Sequence, residues 1–330
     1  MESLVLKRLR GRLSAIWLLA SVCLVAMFLW GCGTDKEDMS PTGWSQRGIW
    51  PRGTRPVASP TSEAVLFTQE ESPSGLYMLL DGSALHLNLA GPAARTDYAW
   101  SQDGARFCFS GPGEPGDADA GIFVALASQP TQFEQLWDRG SHPRFLADGQ
   151  GVVCGGPEDG SDDEGIWHIA LSNQARDRLA EGGLSPEVSP DGLKIAYLMT
   201  GGNLGRVLVV LNLETTRRDT LVGEVLNYSW LGDSRTLVFE TFRDGLQRLY
   251  LKATDESQAI AVALGTLPAG FPQGTEFVYT GLEADRIAGL WIAAPNRPEE
   301  QISLTGSWAA PASLHRIVAQ DSTGIIELTR

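Results

Sequence analysis

The sequence predicts an all-β protein built from repeated units, and three observations lead to this prediction. A turn followed by an apolar strand recurs seven times, and consecutive copies end 40–45 residues apart, at Phe67, Phe109, Cys154, Tyr197, Phe239, Tyr279 and Ala319. Each copy has room for four short strands, and no helical periodicity appears after residue 32. Four strands in a period of about 40–50 residues are typical of a β-propeller blade. We therefore predict a seven-bladed β-propeller of four-stranded antiparallel blades.

The first element of each unit is a tight turn, seen most clearly in the stretch VSPDGLKIAYL that begins at Val188. Pro190 presets φ for the turn, Asp191 can accept hydrogen bonds from nearby backbone, and Gly192 can take a positive φ. The turn should join the innermost strand of a blade to the second strand. We expect the same turn role, rather than catalysis, for the corresponding acids Asp103, Asp148 and Asp233.

The remaining strands follow in a fixed order. A glycine opens or closely precedes the third strand, as in GIFVALA and GIWHIAL, and a short fourth run such as QLWDRG leads to the next turn. The strands are almost continuously apolar, as in RVLVVL, instead of alternating between apolar and polar residues. Such runs are expected when both faces of a sheet are covered, as they are between neighbouring blades.

The last unit ends at Arg330 after only three strands, so its outer strand must come from elsewhere in the chain. The stretch IWPRG at 49–53 is similar to LWDRG at 136–140, which is an outer strand of its own unit. We therefore predict that an N-terminal strand completes the last blade and hides its edge. The predicted propeller spans residues 44–330.

The first thirty residues have the order of an export signal, with four basic residues followed by an uncharged apolar run from Leu13 to Trp30. The run ends in Leu-Trp-Gly-Cys, which resembles a bacterial lipobox, although Trp30 stands where a smaller residue is usual. This resemblance implies a signal peptide at 1–31, a lipid on Cys32 and a short tether at 32–43. Gly33, rather than Asp, follows the cysteine, which favours the outer membrane if the organism has one. The alternative is an uncleaved anchor, and both interpretations place the rest of the chain in the cell envelope.

The chain is acidic, with a formal net charge of −14 over 330 residues. Removing residues 1–31 takes away four basic residues and Glu2, which moves the charge to −17. So acidic a surface repels nucleic acid phosphates and anionic lipid headgroups. We therefore expect no nucleic acid partner, and we expect a monomer without a cofactor that meets the membrane only through its lipid.

Cys108 and Cys154 are the two cysteines that follow Cys32, and both lie in apolar strand runs. They fall on corresponding strands of neighbouring units, but Cys154 aligns with Phe109 rather than with Cys108. Successive strand residues point to opposite faces. We therefore expect two thiols that do not face each other and that stay reduced.

The repeat resembles that of the TolB-like propeller proteins, whose core reads W-S-P-D-G-x-x-I-A-F. Ser189, Pro190, Asp191, Gly192, Ile195 and Ala196 match this core, and Trp100, Ser101, Asp103 and Gly104 match it in the second unit. The resemblance covers almost all of the chain after Cys32 and implies a propeller. TolB itself has a separate α/β domain before its propeller, and only residues 32–43 could precede the first strand here, so TolB's own partners do not transfer. The repeat also occurs in peptidase accessory domains, and a shared fold does not fix a function.

Loops that enter the inner strands should bring aromatic, arginine and other polar side chains to one rim near the axis. These candidate binding residues, called the predicted rim below, are Arg55, Arg95, Tyr98, His142, Arg144, Asn227, Tyr228 and Trp308. Aromatic and arginine side chains are enriched at binding hot spots. The opposite rim carries short turns that offer little reach.

Two acidic loops, at 113–121 and 157–165, should lie side by side on the predicted rim. Their oxygen ligands could suit a cation, but neither loop has the pattern of a calcium-binding loop, so we expect solvated acidic loops. A cation site or a site for a basic partner is the alternative. The candidate metal ligands are Asp117, Asp119, Asp159, Asp162, Asp163 and Glu164.

The sequence thus favours a membrane-tethered, non-catalytic binding or scaffold propeller of the bacterial cell envelope, which presents its rim to a protein or glycan. The alternative is an envelope lyase or hydrolase that uses the axial pocket. Catalysis there would need histidines or carboxylates that converge near the axis. Of the four histidines, only His142 is placed to approach it. No G-x-S-x-G nucleophile motif occurs.

Overall fold

The computed structural model describes residues 43–87, 97–111, 120–157, 164–202, 205–283 and 286–330. Cys32, Arg95 and the acids Asp117, Asp119, Asp159, Asp162 and Asp163 lie outside these ranges. Within them the protein is all-β, without an α-helix. Over the same ranges, no helix has the length and apolar character needed to cross a membrane.

The described residues form strands that are arranged mainly in four-stranded antiparallel sheets. The strands are β1 (Ser45–Trp50), β2 (Thr54–Ala58), β3 (Val65–Gln69), β4 (Gly75–Leu80), β5 (Ser83–His86), β6 (Tyr98–Trp100), β7 (Arg106–Ser110), β8 (Ile122–Leu126), β9 (Phe133–Trp137), β10 (Ser141–Phe145), β11 (Gly151–Pro157), β12 (Glu164–Ala170), β13 (Arg176–Glu181), β14 (Leu184–Val188), β15 (Lys194–Thr200), β16 (Arg206–Asn212), β17 (Arg218–Val222), β18 (Val225–Trp230), β19 (Thr236–Arg243), β20 (Leu246–Ala253), β21 (Ile260–Gly270), β22 (Phe277–Glu283), β23 (Arg286–Ala294), β24 (Arg297–Ser303), β25 (Ser307–Ser313), β26 (Arg316–Asp321) and β27 (Gly324–Thr329).

Four of the sheets contain consecutive strands only, β2–β5, β6–β9, β10–β13 and β14–β17, in that order from one edge to the other. A fifth sheet has the order β1-β27-β26-β25. Its outer strand is thus the first strand of the described chain, which pairs antiparallel with the last, Ser45 opposite Thr329 and Trp50 opposite Ile325. The stretch that resembles an outer strand in the sequence therefore occupies an outer position.

The sixth sheet has seven strands, β18 to β24, because β21 is unusually long. Ile260–Leu264 pairs with β20, and Gly265–Gly270 pairs with β22. One continuous strand therefore serves as the fourth strand of one unit and as the first strand of the next. No turn separates Leu264 from Gly265, so the two sheets are continuous.

The first strands of the units lie side by side. Each of β2, β6, β10, β14, β18, β21 and β25 contacts the next in this series, and β25 also contacts β2. We call these seven strands the inner strands.

Hydrophobic clusters fill the space between neighbouring units. In one cluster Leu66 of β3 packs with Phe107 and Phe109 of β7, one unit further along the chain. The same arrangement joins the two ends of the chain, because Val318 and Ile325 share a cluster with Val65, Phe67 and Tyr77. Burial on both faces explains the continuous apolar runs of the strands.

The predicted turn chemistry is present. Ser189 Oγ donates to Asp191 Oδ1 over 2.6 Å, and Asp191 Oδ1 accepts the Leu193 N–H over 3.0 Å. Asp103 makes the same bonds with Ser101 Oγ (2.6 Å) and Ala105 N (3.0 Å), which hold the pKa of this carboxyl below its ordinary value. Asp148 and Asp233 likewise accept backbone N–H groups within their turns.

The glycine in or just before the third strand recurs because the backbone of the outer strand passes close to it. A Cβ at Gly121 would lie 2.0 Å from the carbonyl oxygen of Trp137, and one at Gly289 would lie 2.1 Å from that of Ser303. Both glycines also have positive φ, 89° and 87°. No other residue type fits these positions without strain.

Cys108 and Cys154 are free and fully buried, as predicted. Burial raises the pKa of Cys108 to about 12 and that of Cys154 further still. The expectation that the two thiols do not face each other is wrong in its premise, because both side chains lie in the cluster between their two units. Facing surfaces of adjacent blades carry residues of opposite alternation, so offset cysteines share an interface.

Candidate functional site at the axis

A cavity of about 300 Å³ lies along the second half of five inner strands and the turns after them. It is at the end of the inner strands opposite to Arg55, His142 and Trp308, and it includes Arg144 of the predicted rim. Its lining residues are Ala99, Trp100, Gln102, Arg144, Phe145, Leu146, Ala147, Glu187, Val188, Ser189, Pro190, Ser229, Trp230, Gly270, Phe271 and Pro272. We call this space the axial cavity. Its volume is at the small end of the range of ordinary ligand sites, about 300–1,000 Å³.

Two charged side chains face the axial cavity from neighbouring inner strands. Arg144 lies opposite Val153 in β10, and Glu187 lies opposite Ala196 in β14, so the two occupy equivalent positions of their units. Burial raises the pKa of the Glu187 carboxyl to about 7, although the Arg144 guanidinium acts in the opposite direction. Among the described residues no ion pair within 4.0 Å joins the two side chains. Both charged groups can therefore still bind a polar group in the cavity.

Two tryptophans form apolar walls of the cavity and are fixed by equivalent hydrogen bonds. Trp100 Nε1 donates to the carbonyl oxygen of Val57, and Trp230 Nε1 donates to that of Glu187, each over 3.1 Å. Each bond links an inner strand to the preceding one, so the ring orientation is set by the ring of strands itself. The walls are therefore preorganised for an apolar or aromatic group.

The other end of the inner strands brings together Arg55, His142 and Trp308 of the predicted rim. These residues have φ of 53°, 53° and 48°, and each lies within a register shift of its strand. A bulge of this kind re-aims the side chains at the end of a strand. The prolines that follow Arg55 and His142 are tolerated because an inner strand is an edge strand.

A cation–π contact joins the first and last units at this end. The Arg55 guanidinium carbon lies 6.0 Å from the ring centroid of Trp308, whose side chain is 37% exposed. The Arg55 N–H donates to Gln320 Oε1 over 2.6 Å, which fixes the backbone beneath the pair. We call Arg55 and Trp308 the rim pair.

His142 lies next to Asp97, with 3.4 Å between Nε2 and Oδ2. Burial and the guanidiniums of Arg144, Arg206 and Arg55 lower the pKa of this imidazole, and Asp97 acts in the opposite direction. Asp97 has the largest electrostatic effect on His142, and three arginines act against it, in a chain whose net charge is −14.

Tyr98, Tyr228 and Asn227 have structural partners. The buried hydroxyls of Tyr98 and Tyr228 donate to the carbonyl oxygens of Arg55 and Ser185 on the preceding inner strands. Asn227 Nδ2 donates over 2.8 Å to the buried carboxylate of Glu240. These three side chains stabilise the inner strands, while Arg144 lines the axial cavity.

Sequence reasoning missed Asp97, Glu187 and Glu240. Glu187 had one signal, a charged residue in an inner strand where other units have Val57, Ala99 or Ala269. Of the candidate metal ligands, Glu164 is described and is exposed at the start of β12. Among the described residues no group of three or more His, Cys, Asp or Glu side chains could hold a metal ion.

No protein-family profile matches this chain, and no curated protein matches it in sequence. Solved structures do match. An oligogalacturonate lyase in complex with manganese is 12% identical, with 88% of this chain and 94% of the lyase covered and a TM-score of 0.67. TolB from Acinetobacter baumannii is 12% identical over 81% of this chain and 76% of TolB, with a TM-score of 0.50. A puromycin-hydrolyzing peptidase of Mycobacterium tuberculosis is 14% identical over 84% of this chain and 53% of the peptidase, with a TM-score of 0.59.

These likenesses show a fold of the TolB-like β-propeller kind, as the repeat predicts. The same fold is present in TolB and in enzymes, so it leaves the activity of this chain open.

Proposed function

We propose that this chain is a lipid-anchored, non-catalytic binding propeller of the bacterial cell envelope, and that the rim pair is the centre of its contact with a protein or glycan. The observation that carries the proposal is the cation–π contact between the Arg55 guanidinium and the exposed ring of Trp308. Tryptophan and arginine dominate binding hot spots. The three arginines that act on His142 suit a partner with acidic groups, because the chain is otherwise acidic.

The proposal includes a closed ring of seven blades. Its support is the unbroken series of contacts among seven inner strands, from β2 round to β25 and back. The pairing of β1 with β27 and the cluster shared by Phe67 and Val318 support closure by both ends of the chain. In this arrangement β21 contributes to two blades. A closed ring holds the rim pair in place, because Arg55 belongs to the first blade and Trp308 to the last.

The anchor is proposed from the sequence alone. A lipid on Cys32, after removal of residues 1–31, would tether the propeller through residues 32–43 to the outer membrane, if the organism has one. Stable attachment needs more than one acyl chain, which a lipidated N-terminal cysteine carries.

The experiment is capture from solubilised envelopes with the full chain as bait, followed by mass spectrometric identification. Trp308→Ala and Arg55→Ala should each lower recovery of the partner at least tenfold without changing the melting temperature by more than about 2 °C. Leu304→Ala is the matched control, because Leu304 is a large side chain that is 82% exposed. Equal recovery by all variants would rule out the rim pair as the contact.

The second candidate function is an envelope lyase or hydrolase that uses the axial cavity. Glu187 favours it, because a carboxyl with a pKa of about 7 in a cleft is suited to general acid–base catalysis. Such an enzyme would lose turnover in Glu187→Gln at unchanged substrate binding. A binding module would show no turnover of envelope glycans in either form.

A further inference from the structure

We propose that the axial cavity is a second binding site, distinct from the rim pair, for a small monocarboxylate with an apolar or aromatic body. Its carboxylate would bind Arg144, its body would lie between Trp100 and Trp230, and a hydroxyl or amine of the ligand would meet Glu187. This inference does not depend on the proposed function.

Arg144 is the group that would bind the carboxylate of the ligand. Its Nη1 donates to the carbonyl oxygen of Pro143 over 2.9 Å, which uses one of the five N–H donors of the guanidinium. No carboxylate lies within 4.0 Å of Arg144 in the described part of the chain, although the protein has 40 acidic residues. The planar fork of a guanidinium binds a carboxylate through two parallel hydrogen bonds. A partly buried arginine facing a cavity is therefore suited to an anion from outside the chain.

The apolar lining of the axial cavity favours an apolar body for the rest of the ligand. Besides the two tryptophans, the cavity is lined by Phe145, Pro190, Phe271 and Pro272. Trp230, Phe145 and Phe271 are buried, so Trp100 and the two prolines offer most of the exposed apolar surface. An apolar body would replace water on these surfaces, which is favourable by about 25 cal/mol per Å² of apolar area. A highly hydroxylated ligand would leave its hydroxyls facing these rings without partners. This argues for a compact aryl or alkyl acid.

Glu187 would bind a second polar group of the ligand, away from the carboxylate that meets Arg144. Its carboxyl has no side-chain hydrogen-bond partner among the described residues, and it faces the same cavity as Arg144. A ligand hydroxyl can donate to a carboxylate or accept from a protonated carboxyl, so either form of Glu187 can serve it. A second ligand carboxylate at this end would meet like charge, which favours a monocarboxylate over a dicarboxylate.

The test is a titration of the full chain in detergent with 4-hydroxyphenylacetate, followed by tryptophan fluorescence and calorimetry. The acid should bind saturably, and 4-hydroxyphenylacetamide, which has the same shape without the charge, should bind at least tenfold more weakly. Comparing acid with amide on the unmodified protein needs no variant, so misfolding cannot mimic the result. Absence of saturable binding by the acid, or equal binding of acid and amide, overturns the proposal.

A pair of variants locates the site. Arg144→Met should weaken binding of the acid at least tenfold, whereas Arg217→Met should not. Arg217 is the matched control because it loses the same charge from an exposed position beside Asp219. Equal affinities of the two variants overturn the assignment to Arg144. Failure of this site would leave the capture experiment at the rim pair unaffected, because Trp308 does not line the cavity.

Discussion

Arg47 and Glu327 form an ion pair across the junction of the two chain ends, with 2.6 Å between Arg47 Nη2 and Glu327 Oε2. The Glu327 side chain is only 2% exposed and also accepts a 2.7 Å bond from Arg316 Nε. Burial acts to raise the pKa of Glu327, but the two guanidiniums outweigh it and hold the pKa below its ordinary value. Strand β1 is thus held to β27 by a buried charge as well as by the strand pairing.

Removing this attachment should destabilise the fold. Arg47→Ala should lower the free energy of unfolding by about 1–2 kcal/mol, because a largely buried carboxylate loses one of its two cations. Deleting residues 44–54 should lower the melting temperature much further. Arg52→Ala is the control, since Arg52 pairs with the exposed Glu71 and such pairs contribute about 0–1 kcal/mol. An unchanged melt after the deletion would contradict closure by β1.

The pKa of Glu187 predicts a pH-dependent stability. The folded protein binds this proton more tightly than the unfolded chain, whose carboxyl has an ordinary value near 4.5, so stability falls as pH rises from about 4.5 through about 7. The charged or titratable groups acting on Glu187 are Arg144 of β10 and Tyr228 of β18. Glu187→Gln should therefore stabilise the protein by about 1–3 kcal/mol at pH 8.5, with much less gain at pH 4.5. Denaturant melts at both pH values test this, with the exposed Glu181→Gln as control.

The two buried thiols should be unreactive in the native protein. Their raised pKa values leave almost no thiolate at neutral pH, and burial blocks access. Iodoacetamide at pH 8 should label Cys108 and Cys154 only after denaturation, as measured by intact mass. A disulfide-linked Cys108–Cys154 peptide in the non-reduced digest would contradict the expectation that both stay reduced.

Membrane attachment should depend on Cys32. Replacing it by Cys32→Ser should move the protein from the membrane fraction to the soluble envelope fraction, and metabolic labelling with a fatty acid analogue should disappear. Cys23→Ser, within the predicted signal peptide, is the matched control and should change neither result. Continued membrane retention of Cys32→Ser would favour an uncleaved anchor.

The fold could be predicted because each unit repeats the same local chemistry. The Ser189–Asp191 and Ser101–Asp103 turns form through hydrogen bonds that span two residues, and such contacts are visible in sequence. The fusion of two sheets through β21 was not predictable, since a fourth strand that continues into a first strand has no turn to mark it.

The candidate site was only partly predictable, because it depends on contacts between units. Tyr98 and Tyr228 have the composition of hot-spot residues, but their partners are backbone carbonyls on the preceding inner strand. In the sequence Glu187 is an ordinary strand residue, because Arg144 is 43 residues earlier and only the fold brings the two near each other. The cysteines show the same limit, because alternation within a strand does not by itself show which residues of the next blade it faces.

Site-specific photo-crosslinking in intact cells tests the central claim, binding through the rim pair, most directly. We would place p-benzoylphenylalanine in turn at position 308, at the exposed position 304 and at position 102 in a turn at the opposite end of the inner strands. The account predicts one dominant adduct at position 308 that is lost when Arg55→Ala is added, with none at 304 or 102. An adduct at position 102 without one at position 308 would place the interface at the other end and contradict the account.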